Sequence, residues 1–260
     1  MDKQQWALIL GSIGLVALLY FGFNTTPSKQ RLVEKSRVGN IEEQETSNIL
    51  RDASQELPED MRAYVKGLEH MAERSPEDSV RIEALKALSG VWFRQGQYLL
   101  AGHYAEQVAQ ITGTADGWAI AGTTYGRAFD SDEAPPADLV AEGAIRAFEH
   151  AISLDPQNPE YRINLAICYA EHPPADNPMK GIQLLLDLNR KDPENVTVLY
   201  QLARLGIRTG QYEKARERLE YALRLAPDQP RLHCLMVDLL RDMQLTDGLA
   251  EHQARCKQQG

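Results

Sequence analysis

VTVLYQLARLGIRTGQYEKARERLEYALRLAP, residues Val196 to Pro227, is the stretch that decides the fold. Small or apolar side chains recur at Leu199, Leu202, Ala203 and Gly206, and again at Ala215, Leu219 and Ala222. Both runs have helical spacing, and Gly210 and Tyr212 stand between them. The stretch therefore reads as two antiparallel helices joined by a short turn. Pro227 cannot continue the second helix and turns the chain.

The same pattern recurs on the N-terminal side. The step from Pro156 to Pro193 is 37 residues and the step from Pro193 to Pro227 is 34. The preceding unit reads Leu165, Ala166, Tyr169, then Gly181, Leu185, Leu188 and Pro193. Its longer turn, His172 to Asn177, accounts for the larger step. The unit before that opens with Trp118, Ala121, Gly122 and Tyr125 and resumes with Ala144, Phe148, Ala151 and Pro156. Between its halves lies an insertion around Asp130 to Pro136. Small residues let paired helices approach, and large ones fill the space between pairs. One such unit cannot bury its apolar face alone, so several must stack into a helix-pair solenoid. At these positions the chain resembles a tetratricopeptide (TPR) repeat.

The resemblance implies an all-α solenoid over 58–260. Its clearest repeats are 115–158, 159–195 and 196–229, with a degenerate repeat at about 77–112 and capping helices over 229–258. The degenerate unit carries Leu85, Leu88, Trp92, Gly96, Tyr98 and Ala101. Pro58 opens a helix with Met61, Tyr64, Val65 and Leu68 on one face, and Ser75-Pro76 reads as a helix N-cap followed by proline at the first helical position. After Pro227, helices are expected from about Gln229 to Met243 and Thr246 to Lys257. Polar residues such as Arg231, Asp238, Arg241 and Glu251 suit a terminal cap that faces water.

Residues 1–5 form a short tail, and Trp6 to Phe23 contain no charge. At ~1.5 Å per residue such a helix just spans a ~30 Å hydrocarbon layer, so 6–23 reads as an N-terminal transmembrane helix. No small-x-small cleavage site follows it, which argues against a removed signal peptide. Residues 24–57 read as a linker, either disordered or entering a loosely packed juxtamembrane helix near 41–55.

A net charge of −9 on 260 residues argues against general nucleic-acid binding, because phosphate contact needs a basic surface. No phosphate-binding loop, HExxH, GxSxG or dinucleotide fingerprint occurs, so no catalytic, cofactor or metal site is expected and the chain is read as a non-enzyme. Cys168, Cys234 and Cys256 are far apart and odd in number, with no CxxC pair. Cys168 reads as a small buried hydrophobe. His252 and Cys256, four apart, supply too few ligands for a metal and read as solvated.

Tetratricopeptide arrays bind peptides or helices on a concave face lined by the first helix of each pair. The family register places Lys86, Phe93, Arg94, Thr123, Arg127, Asn164, Glu171, Tyr200, Arg204, Arg208 and Arg241 towards that face. Arg94, Arg127 and Arg208 occupy equivalent positions in three units and are candidates for binding the carboxylates of an acidic partner. A solvated charged face is the plainer reading. Of the five-residue carboxylate clamp of chaperone-binding members only Asn164 is present, which does not support that activity. The resemblance to bacterial single-span adaptors implies a scaffold that holds a protein partner at the inner membrane. The alternatives are an accessory subunit of a permanent membrane complex serving envelope assembly, chaperoning or protease regulation, and an enzyme with an unrecognised site. The sequence does not give the oligomeric state. Lys29, Arg31, Lys35 and Arg37 follow the span closely and place the repeats on the cytoplasmic side. Cysteines without a pairing pattern agree with that reducing compartment. The periplasm is the alternative.

Overall fold

The computed structural model describes residue 5, residues 28–130 and residues 137–257. The chain divides into two compact units, 1–56 and 57–260. The first contains α1 (Ser28–Glu56), one continuous helix of 29 residues. It is longer than the expected helix near 41–55. No proline interrupts 28–56, and Gly39 is its single glycine. One glycine costs a helix only about 1 kcal/mol, so nothing local stops the helix earlier. Among the described residues no helix is long and apolar enough to cross a membrane. The apolar stretch 6–23 and the insertion residues 131–136 lie outside the described residues.

The second unit is a run of helices without strands among the described residues: α2 (Glu59–Arg74), α3 (Asp78–Arg94), α4 (Tyr98–Thr112), α5 (Ala115–Gly126), α6 (Ala137–Leu154), α7 (Pro159–Glu171), α8 (Lys180–Lys191), α9 (Val196–Arg208), α10 (Tyr212–Leu225), α11 (Pro230–Asp242) and α12 (Leu249–Cys256). A single 3-10 turn, Arg127–Asp130, follows α5. The pairs α3/α4, α5/α6, α7/α8 and α9/α10 are the four repeats. Each helix packs on the next, and the first helices α5 and α7, and α9 and α11, also touch.

Side-chain capping sets several of the boundaries. The Thr114 hydroxyl accepts from Gly117 N at 3.1 Å, and Asn195 Oδ1 accepts from Val198 N at 3.1 Å. Asn158 Oδ1 accepts from Glu160 N at 3.0 Å, with Pro159 at the first helical position. Ser75 Oγ takes Glu77 N at 3.2 Å, but α3 starts only at Asp78 and Glu77 is its N-cap. The expected start is thus displaced because the serine closes a local turn ahead of the helix. The α3–α4 and α9–α10 turns pass through Gly96 and Gly210 at φ of 75° and 71°, a conformation that disfavours a Cβ.

Successive core clusters run along the stack from α4 to α11. One cluster joins Ala109 of α4, Trp118 and Ala121 of α5, Ala147 and Ala151 of α6 and Tyr161 of α7. The next joins Ile163, Ala166, Leu185, Val198 and Leu202. The last joins Leu199, Ala203, Ala215, Leu219, Leu232 and Leu239, with Leu245 and Leu249 against it. Each cluster draws on at least three successive helices, so no repeat completes a core by itself. Gly181 shows how close the pairing is. A Cβ there would lie 2.4 Å from Ala170 N and 2.7 Å from Ala166 O, so α8 rests on the backbone of α7.

Candidate first-helix groove

The first helix of each repeat buries one face against its partners and leaves the other open. On α5 the buried face is Trp118, Ala121, Gly122 and Tyr125, and helical spacing leaves Asp116, Ile120, Thr123 and then Arg127 on the open side. The corresponding residues are Glu160, Asn164, Ile167 and Glu171 on α7, and Thr197, Gln201, Arg204 and Arg208 on α9. The position held by Arg127 and Arg208 is therefore held by Glu171 in the repeat between them.

That single acidic residue decides the electrostatics of the centre. Glu171 accepts from the Arg204 guanidinium and, at 2.9 Å, from Arg208 Nη1. Glu171 is 17% exposed and Arg204 27%. Two arginines expected to await a partner's carboxylates are instead paired with this chain's own carboxylate across the α7–α9 boundary, which leaves one net positive charge on the trio.

The remaining candidates separate into different roles. Lys86 is paired with Glu83 on its own helix at 2.9 Å. The Thr123 hydroxyl donates to Ala119 O at 2.8 Å. Asn164 is half-buried on α7. Tyr200 is half-buried beneath the Arg231 guanidinium, 5.0 Å from the ring centre, and Arg231 also donates to Thr197 at 3.3 Å. Arg231, expected to face water as part of a cap, instead joins α11 to α9. Arg241 lies 3.9 Å from Asp238 at the far end. Arg94 is exposed at the end of α3 and Arg127 just after α5. On the same two helices Phe93 is 42% exposed and Ile120 62%. The open side of α3 and α5 thus carries exposed apolar side chains among charged ones, while that of α7 and α9 carries the Glu171 ion pairs.

Away from the groove, tyrosines tie successive helices together. Tyr125 donates to Glu106 at 2.9 Å and Tyr169 to Glu149 at 3.0 Å, the same first-helix-to-second-helix step in two repeats. Burial, with the Glu106 charge second, pushes the Tyr125 phenol well above its ordinary value and keeps it a donor. Glu106, almost fully buried, also takes Arg146 Nε at 2.9 Å, so its charge is compensated.

The C-terminal end departs most from the sequence expectation. Cys234 of α11 and Cys256 of α12 form a disulfide, with Cα atoms 4.8 Å apart. His252 is not simply solvated: its Nδ1 lies 2.8 Å from His233 Nδ1. Nothing in the sequence marks this pairing, because the four residues meet only when α12 folds back on α11. Cys168 is buried as expected, and burial raises its thiol pKa to about 12. Among the described residues no three His, Cys, Asp or Glu gather as a metal site.

Residues 177–239 match the tetratricopeptide repeat family model. A comparison with curated proteins gives no match. Among solved structures the chain is similar to TTC0263, a thermophilic TPR protein of Thermus thermophilus. The identity is 15% and the TM-score 0.53, over 69% of this chain and 91% of that one. PilF of Pseudomonas aeruginosa aligns at 19% identity and TM-score 0.48, over 69% and 76%. MamA of Desulfovibrio magneticus RS-1 aligns at 15% and 0.45, over 68% and 93%. At such identities the likeness concerns the fold.

Proposed function

We propose that this chain, which belongs to the tetratricopeptide repeat superfamily, is a non-catalytic scaffold that holds an acidic, partly apolar protein segment at a membrane. The observation that carries the reading is the open side of α3 and α5. Ile120 and Phe93 are large apolar side chains exposed on helices that also carry Lys86 and Arg94, with Arg127 directly after α5. Burying such residues under a partner is favourable by about 25 cal/mol per Å² of apolar area, and basic neighbours steer and orient an acidic segment. The partner seat is assigned to this N-terminal half because large apolar side chains stand exposed there.

The anchor in this proposal is the uncharged stretch 6–23, long enough for one span. Two observations bear on the side the repeats occupy. Lys29, Arg31, Lys35 and Arg37 favour the cytoplasm. The Cys234–Cys256 bond favours an oxidising compartment, where disulfides form and persist. The bond removes the argument from unpaired cysteines, and we take the periplasmic side. A C-terminal alkaline phosphatase fusion is then active in a bacterial host, and a fluorescent-protein fusion is dark. The reverse pattern overturns the placement but not the scaffold.

The groove itself is tested with a photo-crosslinking side chain at Ile120 of the full chain in native membranes, against the same side chain at Glu217, exposed on the second helix α10. Protein adducts at Ile120 that are absent at Glu217 support the reading. Equal labelling, or labelling only at Glu217, refutes it.

A further inference from the structure

The C-terminal helix α12 has no buried residue of its own, yet it closes the end of the stack. Leu245 and Leu249 lie against the last core cluster. The turn that brings α12 back passes through two left-handed residues, Gln244 at φ 57° and Gly248 at φ 73°. Arg255 of α12 donates weakly to Pro227 O at 3.4 Å, and two side-chain fastenings tie the helix to α11 itself. One is the disulfide between Cys234 and Cys256, both only half-buried. The other is the His233–His252 pair, Nδ1 to Nδ1 at 2.8 Å.

The protons of that pair are set by its surroundings. His233 Nε2 lies 2.8 Å from Pro227 O. A carbonyl only accepts, so His233 Nε2 carries a hydrogen. In neutral His233, Nδ1 is then an acceptor and His252 Nδ1 must donate to it. One added proton is tolerated, because one Nδ1 still accepts. A second proton puts N–H against N–H and two positive rings in contact, and the bond is lost. Burial first, and the His233 charge second, already hold the His252 pKa below its ordinary value. The other charged groups around His252 are Glu251 and Arg255 on its own helix. Arg216, Glu220 and Arg224 of α10 and Asp247 of the turn line the cavity of about 360 Å³ that it shares. Glu220 accepts from Arg216 at 2.8 Å through one of its oxygens.

We propose that α12 is a latch over the end of the stack with two independent fastenings, a disulfide opened by a dithiol reductant and a histidine pair opened by a second proton, and that it releases only when both are undone. Opening the bond is thiol–disulfide exchange. A thiolate of the reductant attacks one sulfur and expels the other as thiolate. The reductant's second thiolate then resolves the mixed disulfide. Two electrons pass to the cysteine pair, two protons complete its thiols, and the reductant leaves as its own disulfide. With the bond intact, acid splits the histidines but the tether keeps α12 at its seat at high effective concentration. With the bond cut at neutral pH, the histidine pair and the contacts of Leu245 and Leu249 hold it.

The test is amide hydrogen exchange over 249–257 in the full chain, corrected for the intrinsic effect of pH, with α7 as the internal control. The parent and Cys256→Ser are compared near neutral pH and near pH 5, below the ordinary histidine range. The expected result is roughly tenfold faster exchange in the Cys256→Ser chain in acid only, with α7 unchanged. His252→Asn keeps a donor near the Nδ1 position but takes no proton, so Cys256→Ser/His252→Asn stays protected in acid. Release of Cys256→Ser at neutral pH, release of the parent in acid, or acid release despite His252→Asn each overturns the two-fastening latch.

Discussion

Replacing Glu171 by Gln tests whether the centre of the groove is held by its own charge. The side chain keeps its shape, but its acceptor oxygens fall from two charged to one neutral. Glu171 is 17% exposed and Arg204 27%, so the pair sits between a solvated ion pair and a buried one. Exposed pairs are worth about 0.2–1 kcal/mol, and removing one partner of a buried pair costs about 3–5 kcal/mol. Arg204 Nε is buried without a hydrogen-bond partner, so its guanidinium depends on Glu171 for compensation. Arg208, 51% exposed, recovers water when released and adds little. The expected loss is about 1–2 kcal/mol, taken between the two regimes. For a unit of this size that lowers Tm by roughly 2–4 °C per kcal/mol. The assay is a double-mutant cycle of Glu171→Gln and Arg204→Met in urea unfolding of a fragment beginning at Leu57. A coupling near 1 kcal/mol or above is expected, reduced by salt. A coupling indistinguishable from zero at low salt refutes the staple and returns both arginines to the partner-binding set.

Three other outcomes are expected. Gly181→Ala gains up to about 1 kcal/mol of helix propensity, but its Cβ meets Ala170 N and Ala166 O, so a net loss of about 2 kcal/mol in unfolding free energy follows; a stabilised variant would show that the helices can part without cost. Cys168 resists alkylation in the folded chain near neutral pH, because burial holds its thiol at about 12, and modification at the rate of a free peptide thiol would refute that burial. The folded pKa of His252 is depressed, so the unfolded chain binds the extra proton first. Stability is full above the ordinary histidine value, falls as pH drops from about 6.5 through the lower folded pKa, and then levels off. His252→Asn should flatten that part of the urea-midpoint profile, and an unchanged slope would assign it elsewhere.

The period and the faces of the helices were legible because both are local. Proline spacing marks the ends of second helices, and alternating small and large residues such as Gly122 and Phe148 mark which faces meet. A Cβ on Gly122 would lie 2.8 Å from the Phe148 ring, which is why that position is small. Thr123 and Asn164 were legible as open-side residues to the same degree, whereas Ile120, 62% exposed, was not singled out because an apolar side chain on a helix reads first as core. What open-side residues bond to was not legible, because partners across repeats are fixed by the offset between neighbouring pairs rather than by spacing within one. Glu171 meets residues 33 and 37 positions away. The register already placed Glu171 on the same face as Arg204 and Arg208, but it could not show that they pair, because that contact crosses the α7–α9 boundary. The same limit hid Cys234 and Cys256, 22 residues apart on helices whose reversal turns on Gln244, a residue type that seldom adopts a positive φ.

A solenoid's function depends on which of its open-side charges remain after its own repeats have paired. At α7 and α9 the pairing is internal, and the same ion pairs that join those repeats remove their guanidiniums from the groove. At α3 and α5 the joining is done by other groups. Tyr104 reaches back to Glu69 at 3.1 Å, Tyr125 to Glu106 and Tyr161 to Asp116 at 2.7 Å. Phenols supply those inter-helix bonds, with Asp116 on the open side as one acceptor, so the apolar side chains there need not contribute to cohesion. Ile120 and Phe93 can then stay exposed without weakening the stack. Tyrosine–carboxylate bonds and arginine–glutamate pairs join helices in both halves, Arg146–Glu106 in the first and Arg204–Glu171 in the second, and what sets the first repeats apart is the exposure of Phe93 and Ile120.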